Sequence, residues 1–300
     1  MTPTEFDAWQ QHHLARVERA LEAWVPADAP AGLGSAMRYG VLDGGKRLRP
    51  LLVMAACEAL QGSATAALRA AVAVELIHAY SLVHDDMPCM DNDVIRRGKP
   101  TVHVQFGQAQ AMLAGDAMQA LAFEVLTPAP DDAMGVPPAL QAQLTSLLAR
   151  SAGHAGMAGG QAIDLASIGK ALDEKALRDM HRRKTGALLQ ASVMMGAACG
   201  QASAAVTRAL AQYGAAIGLA FQVMDDILDV TQASETLGKT AGKDSDHNKP
   251  TYVSLLGLDA ARRHADELRD QAHQALRNSE LGTDTAALAV LANKVVDRES

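Results

Sequence analysis

Two short runs of the chain set carboxylates directly behind strongly apolar sequence. The first is DDMPCMD at 85–91, preceded by LIHAYSLVH; the second is DDILD at 225–229, preceded by IGLAFQVM. At roughly 100° per residue, Asp225 and Asp229 leave one face of a helix, with Gln222 and Phe221 a turn earlier on that side. Two carboxylates so placed can grip one cation. In the first run Asp91 lies off the face of an ideal helix that carries Asp85, but Pro88 disfavours helical geometry at Met87 and lets Asp91 swing back beside Asp85. One acid run alone is most often a solvated helix end. Two such runs behind apolar walls point instead to cation binding.

Carboxylates with few histidines or thiolates suit a hard cation, magnesium above zinc, and magnesium usually keeps open positions that substrate phosphates fill. Phosphate in turn requires cationic partners. These are present in GGKRLRP (44–50), RRGKP (96–100), RRKTG (182–186) and at Lys239, Lys243 and Lys249. Taken singly each is an ordinary surface charge. GGKRLRP is more pointed: its glycines permit close backbone approach, and Lys46, Arg47 and Arg49 crowd together before a helix that Pro50 can begin. A bound anion would relieve their repulsion. Like unit charges 4 Å apart cost about 4 kcal/mol at an effective dielectric of 20. The acid runs therefore need divalent ions to bridge them to a diphosphate, whereas Lys46 and Arg49 can hold a second anion directly. Two phosphorylated sites of different chemistry in one cavity are implied.

The elements that must position these groups all read as helices. Alanine, leucine, glutamine, glutamate and arginine dominate, and no alternating strand is visible. Helical patterns cover 4–24, 34–43, 50–61, 65–86, 105–126, 138–156, 173–182, 184–199, 204–230, 250–278 and 285–296. Between them 127–138 and 232–250 are rich in turn formers, and the second, long and lysine-bearing, is a candidate lid. With 300 residues, 49% of them hydrophobic, and no linker-like shift in composition, the expectation is one domain, 1–300. Its fold class would be all-α, a single large helical bundle around a central cavity.

The net charge of −7 gives no basic footprint for nucleic acid. Cys57, Cys89 and Cys199 lie far apart in sequence with no CxxC pair, which argues against a disulfide framework or structural zinc and suits a reducing, cytoplasmic location. No secretion signal is visible. The stretch 109–126, read as the most apolar long one, carries Asp116 and Glu124, so no membrane span is expected.

Taken together, GGKRLRP, ELIHAYSLVHDDMPCMDND followed by RRGKPT, FGQAQAMLAGDAM, GMAGGQAIDL, HRRKTGALL, LAFQVMDDILD, LGKTAGKD and NKPTY resemble, in this order, the trans short-chain prenyl diphosphate synthases, with the bacterial farnesyl type as the nearest match. The resemblance implies a fold of the isoprenoid synthase kind and a homodimer. Its partners would be isopentenyl diphosphate and allylic diphosphates. Asp85, Asp91 and Asp225 would be magnesium ligands, for three ions that manganese can replace, with Asp86 and Asp229 as supporting acids. Arg96, Lys184, Thr185, Gln222, Lys239 and Lys249 would surround the allylic substrate, and Lys46, Arg49, His78 and Arg97 would hold isopentenyl diphosphate.

The implied reaction is a 1′-4 condensation without a protein nucleophile. Asp85, Asp225, Lys184, Thr185 and Gln222 would be its catalytic groups, with Thr185, Gln222 and the Lys184 carbonyl steadying an allylic cation by their dipoles. Chain length would be set on the helix before the first acids. Tyr80, about 7.5 Å below Asp85 at 1.5 Å rise per residue, is a candidate pocket floor with small Ser81 beside it, although a core-packing role competes for Tyr80. Alternatives are a geranyl or geranylgeranyl diphosphate synthase, or a non-catalytic prenyl-diphosphate-binding subunit. A terpene cyclase would pair the first motif with an Asn/Ser/Glu set, not DDILD. Asp164 could order basic groups near the cavity, Asp116 could serve packing or dimer structure, and the tail with Lys294 and Arg298 carries no clear family signature that would assign it a part in closing the cavity.

Overall fold

A computed structural model describes the chain except for residues 43, 133–134, 171, 232–250 and 299–300. Its order is α1 (Pro3–Trp24), α2 (Leu33–Val41), α3 (Leu48–Glu58), α4 (Ala64–Asp85), α5 (Val102–Phe106), α6 (Gln108–Leu126), α7 (Pro138–Ala152) and α8 (Met157–Ala166). There follow α9 (Glu174–His181), a π-helical turn (Arg182–Gly186), α10 (Ala187–Ala198), α11 (Ala204–Thr231), α12 (Tyr252–Leu256), α13 (Leu258–Arg277) and α14 (Ala286–Val296). Among the described residues the fold is all-α apart from one small hairpin, β1 (Ile95–Arg96) against β2 (Lys99–Pro100), which the absence of alternating sequence did not announce.

Two clusters of buried side chains make the core. One is built on α1, α2, α4, α6 and α7, the other on α10, α11, α13 and α14. α3 serves both: Val53, Met54 and Cys57 enter the first, and Leu51, Leu52, Ala55 and Ala56 the second. α10 divides itself in the same way, and it lies so close to α3 that a Cβ on Gly196 would stand 2.2 Å from the Val53 carbonyl oxygen. Cys57 and Cys199 are both free and buried, the Cys57 thiol donating to the Ser63 carbonyl at 3.6 Å and the Cys199 thiol to the Met195 carbonyl at 3.2 Å.

α4 runs through the middle. Ser63 caps its start by accepting from the Ala66 amide at 3.2 Å, and it stops at Asp85, three residues before Pro88. Among the described residues, α4 and not 109–126 is the helix long and apolar enough to cross a membrane, but 72% of its apolar window is buried in the bundle. Such burial all round is what a central core helix requires.

Three helical expectations change. The 105–126 and 250–278 patterns are each broken by a glycine, Gly107 at φ 87° and Gly257 at φ 82°, so a five-residue helix precedes the long one in both places. α8 was unforeseen because Gly156, Gly159 and Gly160 depress helix propensity there. Packing overrides that deficit: a Cβ on Gly160 would lie 2.1 Å from the Lys184 backbone nitrogen.

Candidate active site

α4 and α11 deliver their acids to one cavity of about 590 Å³. Past Asp85 the chain curls back, with the Asp91 amide donating to the Asp85 carbonyl at 2.9 Å and the Asp93 amide to the Asp86 carbonyl at 3.1 Å. Asp91 thus stands beside Asp85, as Pro88 led one to expect. Asp85, Asp91, Asp225 and Asp229 all line the cavity. Asp86 does not: it is 2% exposed and receives the Arg96 guanidinium on both oxygens, with contacts of 2.6–3.0 Å.

Burial, only partly offset by Lys184 and reinforced by Asp91, pushes Asp85 up to about 6. Asp229 Oδ2 is buried without a hydrogen-bond partner, as expected of a group that waits for a cation. Among the described residues no three acidic, histidine or cysteine side chains converge tightly enough to hold an ion alone. A hard cation here must complete its shell with water or substrate oxygens, the habit of magnesium.

Arg49 and His78 line the cavity too. Arg49 is 8% exposed, its Nε has no partner, and burial pulls it down to about 10. His78 is held well below its ordinary pKa by burial and then by nearby Arg49 and Arg97, so it stays neutral. Arg97 lies over the glycine loop, donating to the Gly44 carbonyl at 2.6 Å, and a Cβ on Gly45 would stand 2.9 Å from its guanidinium. Lys46, the next residue along that loop, is exposed.

Arg47 corrects the reading of a three-charge anion cluster. Its side chain is buried, paired with Glu75 at 2.7 Å and Glu18 at 2.7 Å, and donates to the Val41 carbonyl. Only Lys46 and Arg49 of that motif keep charge to offer. Neither Glu18 nor Glu75 stood out in the sequence, since a glutamate inside a helix pattern gives no sign of a partner far along the chain.

The π-helical turn carries Lys184 and Thr185 to the cavity wall, clamped between two glycines. Gly160 of α8 abuts Lys184, and a Cβ on Gly218 of α11 would fall 2.7 Å from the Gly186 Cα. π-turns of this kind are frequent at functional sites. Lys184 Nζ pairs with Asp164 at 2.6 Å, so Asp164 does order a basic group. Thr185 donates to Gln222 Oε1 at 2.9 Å, and Gln222 Nε2 donates to Asp226 Oδ1 at 2.9 Å. Tyr80 and Ser81 also line the cavity. The Ser81 hydroxyl turns back to the His78 carbonyl at 2.8 Å, and Tyr80 meets His84 edge-on at 5.7 Å. Lys239, Lys243, Lys249 and the 232–250 segment lie outside the described residues.

Two cavity groups, and Arg298 beside one of the acids, escaped the sequence reading. Arg298, on the tail that carries no clear family signature, has a side chain 10% exposed that lies 3.6 Å from Asp225, donates to the Phe221 carbonyl at 2.7 Å and stacks 4.1 Å over the Phe221 ring. Both Gln161 amide atoms and both His181 nitrogens are buried without hydrogen-bond partners on the cavity wall. A signal existed for the last two, which stand inside GGQAIDL and HRRKTG; none existed for Arg298.

The model of the polyprenyl synthetase family matches residues 30–288. The chain is 49% identical over 264 residues to farnesyl diphosphate synthase of Escherichia coli, covering 87% of this chain and 88% of that protein. It is 44% identical over 307 residues to the heterodimeric geranylgeranyl pyrophosphate synthase large subunit 1, chloroplastic, of Arabidopsis thaliana, covering 99% and 81%. A geranyltransferase from Helicobacter pylori, solved in complex with magnesium and isoprenyl diphosphate, superposes with a TM-score of 0.87 at 32% identity, covering 99% of each chain.

Proposed function

Because the chain belongs to the polyprenyl synthetase family, we propose that it is a magnesium-dependent prenyltransferase acting as a single domain, 1–300. It condenses isopentenyl diphosphate with dimethylallyl and then geranyl diphosphate, 1′-4 and head to tail, giving (2E,6E)-farnesyl diphosphate and diphosphate. The observation that carries this reading is the make-up of one cavity, which Asp85, Asp91, Asp225 and Asp229 line together with the cationic Arg49, neutral His78 and the apolar Leu82, Ala162, Leu165 and Phe221. One amphipathic substrate fits the acids and the apolar wall, and a second anion fits the cations.

Asp85, Asp91 and Asp225 would hold magnesium, three ions in number with manganese as a substitute, and the unpartnered Asp229 oxygen fits a cation. Bound there, the metal supplies the positive charge that neutralises the departing diphosphate. Arg96 and Lys184, with Lys239 and Lys249, bind the allylic diphosphate, and Lys46, Arg49, His78 and Arg97 bind isopentenyl diphosphate. As the allylic C1–O bond breaks, Thr185, Gln222 and the Lys184 carbonyl face the electron-poor carbon with oxygen dipoles. The isopentenyl C4 then bonds to C1, and a proton from its C2 passes to the released diphosphate. Exclusion of water is essential, since water would quench the cation.

Exposed Val104, Met112 and Leu113 on α5 and α6 form an apolar face that a second copy would cover in a homodimer. The cytoplasm, where free thiols stay reduced, is the proposed compartment. The test is incorporation of radiolabelled isopentenyl diphosphate with magnesium and either allylic primer, with products sized after hydrolysis. C15 alcohol supports the farnesyl reading. C20 would favour geranylgeranyl synthesis, which the Arabidopsis relative supports, and C10 geranyl synthesis. No incorporation would point to a non-catalytic binding subunit.

A further inference from the structure

The two acid runs share a regularity beyond their metal-facing acids. In each the second acid of the pair is buried, Asp86 and Asp226 both being 2% exposed. Each grips the segment that follows its run: Asp86 takes the Arg96 fork from β1, and Asp226 Oδ2 accepts the Tyr252 amide of α12 at 2.8 Å. The sequence repeats here as well. Lys99-Pro100-Thr101 and Lys249-Pro250-Thr251 each precede a five-residue helix closed by a glycine, Gly107 and Gly257. Both halves therefore use the second acid as an anchor.

Asp226 does something more. Its Oδ1 reaches back one turn to Gln222 Nε2 at 2.9 Å. A carboxylate can only accept, so it claims the amide's NH2 and turns Gln222 Oε1 the other way. Oε1 then accepts the Thr185 hydroxyl at 2.9 Å, which commits that proton and leaves the Thr185 lone pairs for the cavity. Without Asp226, Gln222 could flip and present its NH2 to Thr185, whose hydroxyl proton would then face the cavity. We propose that Asp226 is a positioning residue that sets the polarity of the Gln222–Thr185 pair, so that oxygen lone pairs and not protons face the carbon that becomes cationic. This rests on the prenyl-transfer reading above.

In Asp226→Asn the acceptor facing Gln222 becomes an amide able to donate, and the fixed polarity is lost. The expected result is a kcat lowered by about 10²-fold or more, with KM for both diphosphates within about threefold of the unaltered protein. Gln222→Leu should lose a similar factor, and the double variant Asp226→Asn/Gln222→Leu should be no slower than Gln222→Leu alone, within about threefold. A diphosphate with a protonated amine at the reacting carbon should bind about tenfold or more weakly to both single variants. An unreactive allylic thiolodiphosphate should bind them as it binds the unaltered protein. Because Asp226→Asn also touches the Tyr252 anchor, Gln222→Glu, which leaves that anchor in place but sets acceptor against acceptor, is the second variant. It should lose at least about tenfold in kcat.

Losses that multiply in the double variant, equal weakening of the cationic and uncharged-chain analogues, or a fully active Asp226→Asn or Gln222→Glu would overturn the proposal. Failure of the unaltered protein to condense isopentenyl diphosphate would overturn the prenyl-transfer reading and this proposal with it. A fully active Asp226→Asn would sink the polarity assignment alone.

Discussion

Replacing Tyr80 by alanine tests whether the cavity's depth sets product length. At about 1.5 Å rise per residue, Tyr80 lies roughly 7.5 Å below Asp85. The next residues down that side of α4 are Ile77 and Leu76, both fully buried, and they lie roughly another 4.5 to 6 Å deeper. Truncation therefore opens about one further turn before a new floor is met, close to the room one isoprene unit needs. Burying its five carbons would contribute about 4 kcal/mol at about 0.8 kcal/mol per methylene, ample to hold a C15 chain for one more condensation. The loss of a half-buried ring that meets His84 edge-on should cost stability, about 2–4 kcal/mol, so thermal unfolding must confirm a folded protein. With labelled isopentenyl diphosphate, the main product should move from C15 to C20 and not much beyond, while Tyr80→Phe should stay at C15. A folded Tyr80→Ala protein that still stops at C15 would refute the floor assignment.

Arg47→Ala should destabilise the fold by about 3–5 kcal/mol in urea unfolding, because it strands buried Glu75, and the surviving folded enzyme should keep its KM for isopentenyl diphosphate. Gly160→Ala drives a Cβ to 2.1 Å from the Lys184 nitrogen. The π-turn must shift, and kcat should fall about tenfold or more, as steady-state kinetics can show. Burial first, then Lys184, holds His181 down to about 4, against the ordinary 6.5. A group depressed in the folded state binds its proton more readily when unfolded, so stability is lost as pH falls from about 6.5 towards 4. The loss should be about 2 kcal/mol at pH 5, and urea melts of His181→Gln should lack that part of the acid dependence.

The helices were legible wherever apolar periodicity ran unbroken, as in α4 and α11, because a buried stripe and a helical repeat are one constraint. They were not legible where packing overruled propensity. Gly156 before α8 and Gly159 and Gly160 within it read as a loop, yet each is demanded by a backbone within about 2 Å of its missing Cβ. Gly107 and Gly257 were visible as glycines, but their positive φ, which splits two helices, is a property of the corner and not of the residue type. The recurrence of KPT before a short helix and a glycine was there to be read, and only its DD portion was seen.

Within the site, residue types could name candidates but could not sort charges already satisfied from charges on offer. Arg47 and Arg49 stand two apart in one motif. Arg47 turns inward to Glu18 and Glu75, whereas Arg49 keeps an unpartnered Nε on the cavity. Asp86 and Asp85 are adjacent, yet the first is saturated by Arg96 and the second faces the cavity with its pKa raised by burial. The difference lies in partners 10 to 29 residues away for the satisfied members, which no local pattern encodes. A buried charge without an internal partner is costly in the folded protein alone. Its persistence at Arg49 and at Asp229 Oδ2 argues that the compensating charge arrives with ligand, cations at the acid rim and phosphate at Arg49. By the same logic Arg298, 3.6 Å from Asp225, brings a positive charge of the chain's own to the acid rim.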